Sequence, residues 1–178
     1  YKRVFNLLSS KKEFVSFDYS QIELKILAHM GNVKKLIEEF KNKVDIHEST
    51  ARLLFPFDDE GRAKAKEINF GIIYGMNAYG MSDRMNIKIE DAKYYIEKYF
   101  KKYPEIKNYM DRTINMAKKN NYVTTIMNRK CYIQRGPNFE RQAINAPIQG
   151  SQADIIKKAM IKIDKIIKNE FDKMAYIL

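Results

Sequence analysis

The sequence has only one cysteine, Cys131, which excludes an internal disulfide framework and is typical of a protein from a reducing compartment. It also lacks any run close to the ~20 consecutive apolar residues that a membrane-spanning helix needs. Nothing at its first residue, Tyr1, resembles a secretion signal. These absences predict a soluble chain with no membrane partner.

Acidic residues are too few to balance the basic ones. The 33 lysines and arginines exceed the 22 aspartates and glutamates, so the net charge is +11. A basic surface can simply be solvated, but an excess of this size makes nucleic acid the leading polyanionic partner, ahead of an anionic membrane surface. The 178 residues, 45% of them hydrophobic, are enough for one compact domain with its own core.

Two cationic and two aromatic side chains form a stripe along one predicted helix. Arg62, Lys66, Phe70 and Tyr74 recur every fourth residue, so they share one face over about 18 Å. Anionic phosphates suit the cationic, dipole-positive end of such a helix, and a base suits its aromatic end. Spacing alone favours an ordinary amphipathic helix with its rings in the core. However, the isoleucines within 68–73 already supply an apolar set off this stripe.

The string R-x3-K-x3-F-x3-Y-G resembles the nucleotide-binding fingers helix of family A, polymerase I-type DNA polymerases. The resemblance implies that Arg62 and Lys66 bind the phosphates of a dNTP, and that Lys66 donates a proton to the pyrophosphate. It also implies that Phe70 stacks against the nucleotide and that Tyr74 packs at the templating position.

A strand-like run, Phe14–Phe17, ends at Asp18, and a helix is predicted to follow from Ile22. Taken alone, Asp18 is best explained as a loop aspartate. Ser20 and Glu23 fit the S-x-x-E pattern of a helix capping box, which gives Glu23 an ordinary structural role.

The longer string D-Y-S-Q-I-E-L-K resembles motif A of the same family. It implies that Asp18 is a catalytic metal ligand and that the backbone carbonyl of Tyr19 is a second ligand. Gln21 would lie at the nucleotide site, and Glu23 would be the steric gate that excludes a ribose 2′-hydroxyl. Lys25 stands where the family has arginine, which keeps the positive charge but loses the planar fork of a guanidinium.

Two further strings resemble family segments. By itself His47 would most often be a surface or satisfied histidine, but its D-I-H context resembles the segment whose histidine contacts the incoming triphosphate. The string E-R-Q-A-I-N-A-P-I-Q-G implies that Arg141, Asn145 and Gln149 contact the primer-template. Polar groups of this kind can bond to minor-groove acceptors, which occur at every base pair. Polar residues on a helix surface are the plain alternative.

Periodicity and turn residues predict the remaining elements. Helices are expected over 33–41, 46–55, 88–102 and 105–119, and a hairpin over 122–133 around the turn 127–130. Asn128 stands where the family has glycine, and asparagine tolerates a positive φ. A turn is expected over 77–80, a helix end or kink at Pro147, and a capping box at 151–154 that opens a last helix.

The resemblance covers Arg3 to Leu178 and implies an α+β fold. Residues 1–30 would be a palm segment with motif A, residues 31–120 the helical fingers with the nucleotide-binding helix 61–75, and residues 121–178 a return to the antiparallel sheet of the palm. The first residue is not methionine and the last ones read as a buried strand. We therefore expect an excerpt of a right-hand polymerase, without the thumb and cut before the last catalytic motif.

The implied function is template-directed DNA synthesis, in which a deoxynucleoside monophosphate passes from a dNTP to a primer 3′-hydroxyl by a two-metal mechanism. The implied cofactor is Mg2+, two ions in the complete enzyme, for which Mn2+ can substitute. Primer-template DNA and dNTP are the implied partners. A single-subunit RNA polymerase lacks the glutamate gate, so Glu23 argues against that class.

The main alternative is a catalytically inactive DNA-binding fragment, because the family's second metal-binding aspartate would lie beyond Leu178. Lysine outnumbers arginine 25 to 8, which indicates an A/T-rich coding genome. A bacterial cytoplasm or an organelle, such as an apicoplast or a mitochondrion, is the expected location.

Overall fold

The computed structural model describes residues 18–170, with side chains described through residue 166. In that range the chain forms eight α-helices and one antiparallel pair of strands, which confirms the predicted α+β class. The helices are α1 (Ile22–Met30), α2 (Lys34–Lys41), α3 (Ile46–Leu54), α4 (Gly61–Ile73), α5 (Ala78–Met85), α6 (Ile89–Lys102), α7 (Pro104–Asn120) and α8 (Phe139–Glu170). The strands are β1 (Tyr122–Thr124) and β2 (Lys130–Tyr132).

Several predictions concern parts of the chain that the structure does not test. The strand-like runs 14–17 and 175–178 lie outside the described residues. The boundaries proposed after residues 30 and 120 remain a prediction. Among the described helices, none combines the length and the apolar character that crossing a membrane requires.

The core is built from one face of each of several helices. Its fully buried side chains include Leu24 and Leu27 of α1, Ile68 of α4, Tyr99 of α6 and Ile106 of α7. The three isoleucines of α4 expose at most 2% of their surface. The apolar face of α4 therefore lies in the core, as its sequence predicts. Burial of this face fixes how α4 is rotated about its axis.

Local sequence explains where the ends of several elements lie. Pro104 begins α7, because a proline in the first turn sacrifices no helical hydrogen bond. Gly75 takes a φ of 70° directly after α4, a conformation that glycine adopts without a steric penalty. Asn128 has a φ of 60°, so asparagine does replace the expected glycine in the hairpin turn.

Residues 77–80 form the start of a helix and not the predicted turn. Asn77 is the N-cap of α5, and its Oδ1 accepts a 2.9 Å hydrogen bond from the backbone N–H of Gly80. An asparagine that caps a helix and one that forms an Asx-turn make similar local bonds. The short sequence could not distinguish these two outcomes.

Of the helix end or kink predicted at Pro147, the helix end is wrong, because α8 continues through this residue from Phe139 to Glu170. Pro147 is buried within the fold, and the next residue, Ile148, is completely buried in the core. The free energy gained by this burial offsets the cost of the backbone hydrogen bond that proline cannot make.

The predicted capping box at 151–154 is also wrong, because both residues lie in the interior of α8. Ser151 Oγ donates to the Pro147 carbonyl at 2.5 Å and accepts from the backbone N–H of Ile126 at 2.9 Å. Asp154 Oδ1 accepts from Arg129 Nε at 2.8 Å. The two side chains therefore anchor the hairpin on α8.

Candidate nucleotide and DNA site

The stripe of α4 lies on the side of the helix away from its buried isoleucines. Arg62 and Lys66 are exposed, and Phe70 and Tyr74 are half-buried. Neither ring is part of the buried core cluster. An ordinary amphipathic helix would place both rings there, so the arrangement leaves the stripe available to a ligand.

The C-terminal end of the stripe contacts the motif A segment. The Tyr74 hydroxyl donates a 2.8 Å hydrogen bond to Glu23 Oε1. The predicted Ser20–Glu23 capping box is wrong, because Gln21 is the N-cap residue of α1 and no side chain caps that helix. Gln21 has a φ of 52°, and this left-handed residue starts the helix one position later than the capping box requires.

The phenol of Tyr74 is held as a neutral donor. Burial raises its pKa, and the hydrogen bond to Glu23 raises the pKa further, whereas the side chain of Gln149 opposes the shift. The Gln149 side chain therefore lies beside the same hydroxyl. This hydroxyl joins motif A, α4 and α8 at one point.

Two more polar residues of α8 bind the end of α4. Arg141 Nε donates to the Tyr74 carbonyl oxygen at 3.0 Å, and Asn145 Nδ2 donates to the same oxygen at 3.5 Å. The Oδ1 atom of Asn145 is buried and has no partner among the described residues. The predicted nucleotide helix and the predicted DNA-contact residues are thus in direct contact.

A groove of about 410 Å³ opens next to this junction, along α8 and β2. Its lining residues are Tyr132, Ile133, Asn138, Arg141, Gln142, Asn145, Ala146 and Gln149. One cation and several amides can donate hydrogen bonds there, and none of the lining residues is acidic. The groove therefore suits a ligand that is anionic and rich in hydrogen-bond acceptors.

At the N-terminal end of the stripe, Arg62 forms an ion pair with Asp45. Arg62 donates to Asp45 Oδ2 from Nε at 3.0 Å and from Nη2 at 2.7 Å. Asp45 Oδ1 accepts from the backbone N–H groups of His47 and Glu48, which makes Asp45 the N-cap of α3. Burial raises the pKa of Asp45, but these hydrogen bonds outweigh it and hold the pKa below its usual value.

His47 lies beside the middle of the stripe. Its ring is 4% exposed, and its centroid is 5.7 Å from that of Phe70. Burial lowers the pKa of His47; Asp45 opposes this shift, and the two cations of the stripe add to it. The net effect favours the neutral imidazole.

A second cavity, of about 320 Å³, lies beyond the ion pair. Lys25 and Lys43 both line it, as do Gln21 and Asp45. Lys25 Nζ is 5.7 Å from the centroid of the Phe40 ring. The lysine is exposed to solvent and also packs against this aromatic face. The Gln21 Oε1 atom is buried and has no partner among the described residues. Gln21 thus lies near Asp45 and the cationic end of the stripe.

The predicted metal ligands form only part of a metal site. Asp18 and Tyr19 are exposed at the first described positions. Across residues 18–166, no group of three or more His, Cys, Asp or Glu side chains could hold a metal ion. The oxygen donors of Asp18 and Tyr19 are the type that a hard cation prefers, but they do not complete its coordination.

Comparison with known proteins decides the family. The whole chain, residues 1–178, matches the model of DNA polymerase family A. The chain belongs to DNA polymerase family A. This membership confirms the resemblance inferred from the stripe and from motif A.

Relatives of this family A chain include DNA polymerase I of Caldicellulosiruptor bescii, which is 45% identical over 92% of the chain and 21% of its own length. DNA polymerase I of Geobacillus stearothermophilus is 44% identical over 86% of the chain and 19% of its own length. The chain therefore spans about a fifth of the length of the curated relatives it matches. Family A polymerases generally use divalent metals.

One solved structure similar to this family A chain is the POL domain of Pol1 from M. smegmatis, in complex with DNA primer-template and dNTP. It is 37% identical, with a TM-score of 0.79, and the match covers 85% of this chain and 29% of that chain. At this identity the likeness extends beyond the general fold.

The structure brings most of the predicted site residues into two linked clusters. The first contains Glu23, Tyr74, Arg141, Asn145 and Gln149, and the second contains His47, Arg62, Lys66 and Phe70. Helix α4 joins them. Asp18 and Tyr19 hydrogen-bond to neither cluster within the described residues. The roles of all these residues toward nucleotide and DNA remain predictions.

Two residues of this family A site were not singled out from the sequence. Asp45 was read only as context for His47, although an aspartate before a helix is a common N-cap. Asn69 received no role, although it is a polar residue within the isoleucine-rich segment of α4. Such a residue needs a buried partner, which only the tertiary structure identifies.

Proposed function

We propose that this chain forms the nucleotide-binding and template-facing part of an enzyme for template-directed DNA synthesis. In that reaction a deoxynucleoside monophosphate is transferred from a dNTP to a primer 3′-hydroxyl. The observation that carries the proposal is the position of α4. One end of this helix presents two cations, and the other end contacts both Glu23 and the polar residues of α8.

The stripe matches the length and polarity of a deoxynucleoside triphosphate. Arg62 and Lys66 lie at the dipole-positive end of α4 and bind the phosphates. Phe70 and Tyr74 follow on the same face, where Phe70 stacks against the nucleotide. Lys66 also donates a proton to the departing pyrophosphate, which makes it a catalytic residue.

The other cluster receives the sugar and the primer-template. Glu23 is held in place by Tyr74, so its carboxylate can exclude a ribose 2′-hydroxyl. Arg141, Asn145 and Gln149 face the groove along α8, where they contact minor-groove acceptors present at every base pair. Such contacts sense the geometry of a base pair and are nearly independent of sequence.

We assign Mg2+, replaceable by Mn2+, as the divalent ion of this enzyme. Asp18 and the Tyr19 carbonyl are the oxygen ligands that this chain contributes. When bound, two such ions activate the primer hydroxyl and stabilise the leaving pyrophosphate. DNA binding without catalysis is the second candidate function, because the described residues do not complete a metal site.

Nucleotide binding tests the proposal directly. The chain is first bound to primer-template DNA. Fluorescence titration then measures the affinity of this complex for the next correct dNTP. Lys66→Ala should weaken dNTP binding by about tenfold or more, because it removes one positioned phosphate contact. Arg52→Ala removes an exposed arginine of α3 that pairs with Glu48, and it should leave the affinity unchanged.

Two outcomes would overturn the assignment. If Lys66→Ala lowers the affinity for DNA as much as the affinity for dNTP, the stripe faces the duplex and not the nucleotide. If the two variants bind dNTP equally, α4 has no phosphate-binding role. In an extension assay, a DNA-binding protein without catalysis would retain both affinities and add no nucleotide.

A further inference from the structure

Asn69 is a polar residue on the buried side of α4. It is 0% exposed and lies between Ile68, which is equally buried, and Phe70. A buried amide that lacks hydrogen-bond partners destabilises a fold by about 1–3 kcal/mol. An apolar residue at this position would avoid the cost. The hydrogen-bond partners of Asn69 therefore indicate what its amide contributes to the protein.

The partners of Asn69 form a short chain between α3 and α4. Thr50 Oγ1 donates to Asn69 Oδ1 at 3.3 Å, and Asn69 Nδ2 lies 3.0 Å from His47 Nδ1. All three side chains are buried. In this arrangement the amide oxygen faces the Thr50 hydroxyl and the amide NH2 group faces the imidazole.

This direction determines where the proton of the imidazole lies. An amide NH2 group can only donate, so His47 Nδ1 must accept and carries no proton. Burial and the nearby cations Arg62 and Lys66 lower the pKa of the ring and favour its neutral form, with Asp45 as the opposing charge. The single remaining ring proton is therefore on Nε2.

We propose that Asn69 is a positioning residue that holds His47 in the Nε2–H tautomer, so that the imidazole offers a neutral hydrogen-bond donor to the phosphates of a nucleotide on the stripe. Asn69 touches no ligand itself. The identity of the ligand rests on the proposed function, whereas the tautomer does not.

The tautomer decides whether His47 attracts or repels an anion. An Nε2–H group directed toward a phosphate oxygen makes a charge-assisted hydrogen bond. In the other tautomer, a nitrogen lone pair would face the negative oxygen. A neutral donor also avoids placing a buried cation beside the exposed cations Arg62 and Lys66, which would be costly before a nucleotide binds.

Nitrogen-15 NMR of the imidazoles measures the tautomer directly. The chain has two histidines, so a His29→Gln variant assigns both sets of ring signals. At pH 7.5 the expected pattern for His47 is an unprotonated Nδ1 and a protonated Nε2. His29 is exposed and serves as the reference imidazole.

Two variants test whether Asn69 is the cause. Asn69→Asp replaces the donor with an acceptor, so Nδ1 of His47 should become protonated. Thr50→Val removes the hydroxyl that orients the amide, and it should shift His47 toward a mixture of tautomers. Circular dichroism establishes that each variant is folded.

A protonated Nδ1 in the unaltered chain overturns the proposal, even if neither variant folds. An unchanged tautomer in folded Asn69→Asp overturns it as well. If the tautomer is as expected but no dNTP binds, the proposed function fails and the positioning role stands. If dNTP binds while Nδ1 is protonated, the positioning role fails and the proposed function stands.

A final experiment measures whether the effect of Asn69 on dNTP binding depends on His47. Asn69→Leu should weaken dNTP binding by about tenfold, because the charge-assisted bond from His47 is lost. In a His47→Ala background the same Asn69→Leu change should have no further effect on dNTP affinity. Equal losses in the two backgrounds would assign Asn69 a general structural role and overturn the proposal.

Discussion

The hydrogen bond between Tyr74 and Glu23 gives a prediction that depends on the fold and not on any ligand. Tyr74→Phe removes only the hydroxyl that donates to Glu23 Oε1 at 2.8 Å. Hydrogen bonds to charged groups contribute about 1.5–3 kcal/mol when buried. Both partners are half-buried here, so we expect a loss of about 1–2 kcal/mol in the free energy of unfolding.

Urea unfolding followed by far-UV circular dichroism measures this loss. For a domain of this size, the same change corresponds to a fall of about 2–8 °C in Tm. Tyr79→Phe is the matched control, because Tyr79 is 73% exposed. It should change the free energy of unfolding by less than about 0.5 kcal/mol.

A double-mutant cycle with Glu23→Ala isolates the pair from other effects of each change. The expected coupling energy is about 1 kcal/mol, since the hydroxyl has no carboxylate to bind once Glu23 is removed. A coupling energy near zero would refute the reasoning, even if Tyr74→Phe alone were destabilising. The remaining loss would then come from the contact of Tyr74 with α8.

Three other predictions follow from named contacts. Asp45→Asn retains a capping side chain for α3 but releases Arg62, so dNTP affinity should rise by about two- to fivefold. The folded state lowers the pKa of His47. The neutral imidazole therefore contributes stability above its unfolded pKa of about 6.5, and this stability is lost as the pH falls through the folded pKa. His47→Gln should flatten the fall in the free energy of unfolding between pH 7.5 and 5.5. Gly150→Ala should lower the free energy of unfolding by about 1–3 kcal/mol, because the new Cβ would lie 2.7 Å from Thr125 Cγ2.

Each of these predictions has a control within the chain. Glu48→Gln alters a neighbouring acid that pairs with Arg52, and an equal rise in dNTP affinity would show only a general charge effect. His29→Gln changes an exposed histidine, and if it flattens the pH dependence of unfolding as much as His47→Gln does, the assignment to His47 is wrong. Gly136→Ala adds a Cβ with no heavy atom within 4 Å. If Gly136→Ala and Gly150→Ala destabilise the fold equally, the steric argument at Gly150 is wrong.

Local sequence determined most of the secondary structure and the orientation of the key helix. The helices predicted over 46–55 and 88–102 form at 46–54 and 89–102, because their apolar periodicity and end signals act within a few residues. The buried isoleucines of α4 leave Arg62, Lys66, Phe70 and Tyr74 outside the core, which the isoleucine set indicated although the spacing alone favoured rings in the core. The positive φ of Asn128 also follows from its own side chain.

Only the tertiary structure decided which of these residues meet. The bond from Tyr74 to Glu23 joins residues 51 apart in sequence, and that from Arg141 to Tyr74 joins residues 67 apart. No local pattern encodes such distances, because they depend on how whole helices pack. For the same reason the sequence could not decide whether the helix ends at Pro147, where long-range burial outweighs the local cost of a proline. The pairing of Asn69 with His47 was likewise set by the packing of α4 on α3, which supplies a buried amide with partners that its own helix lacks.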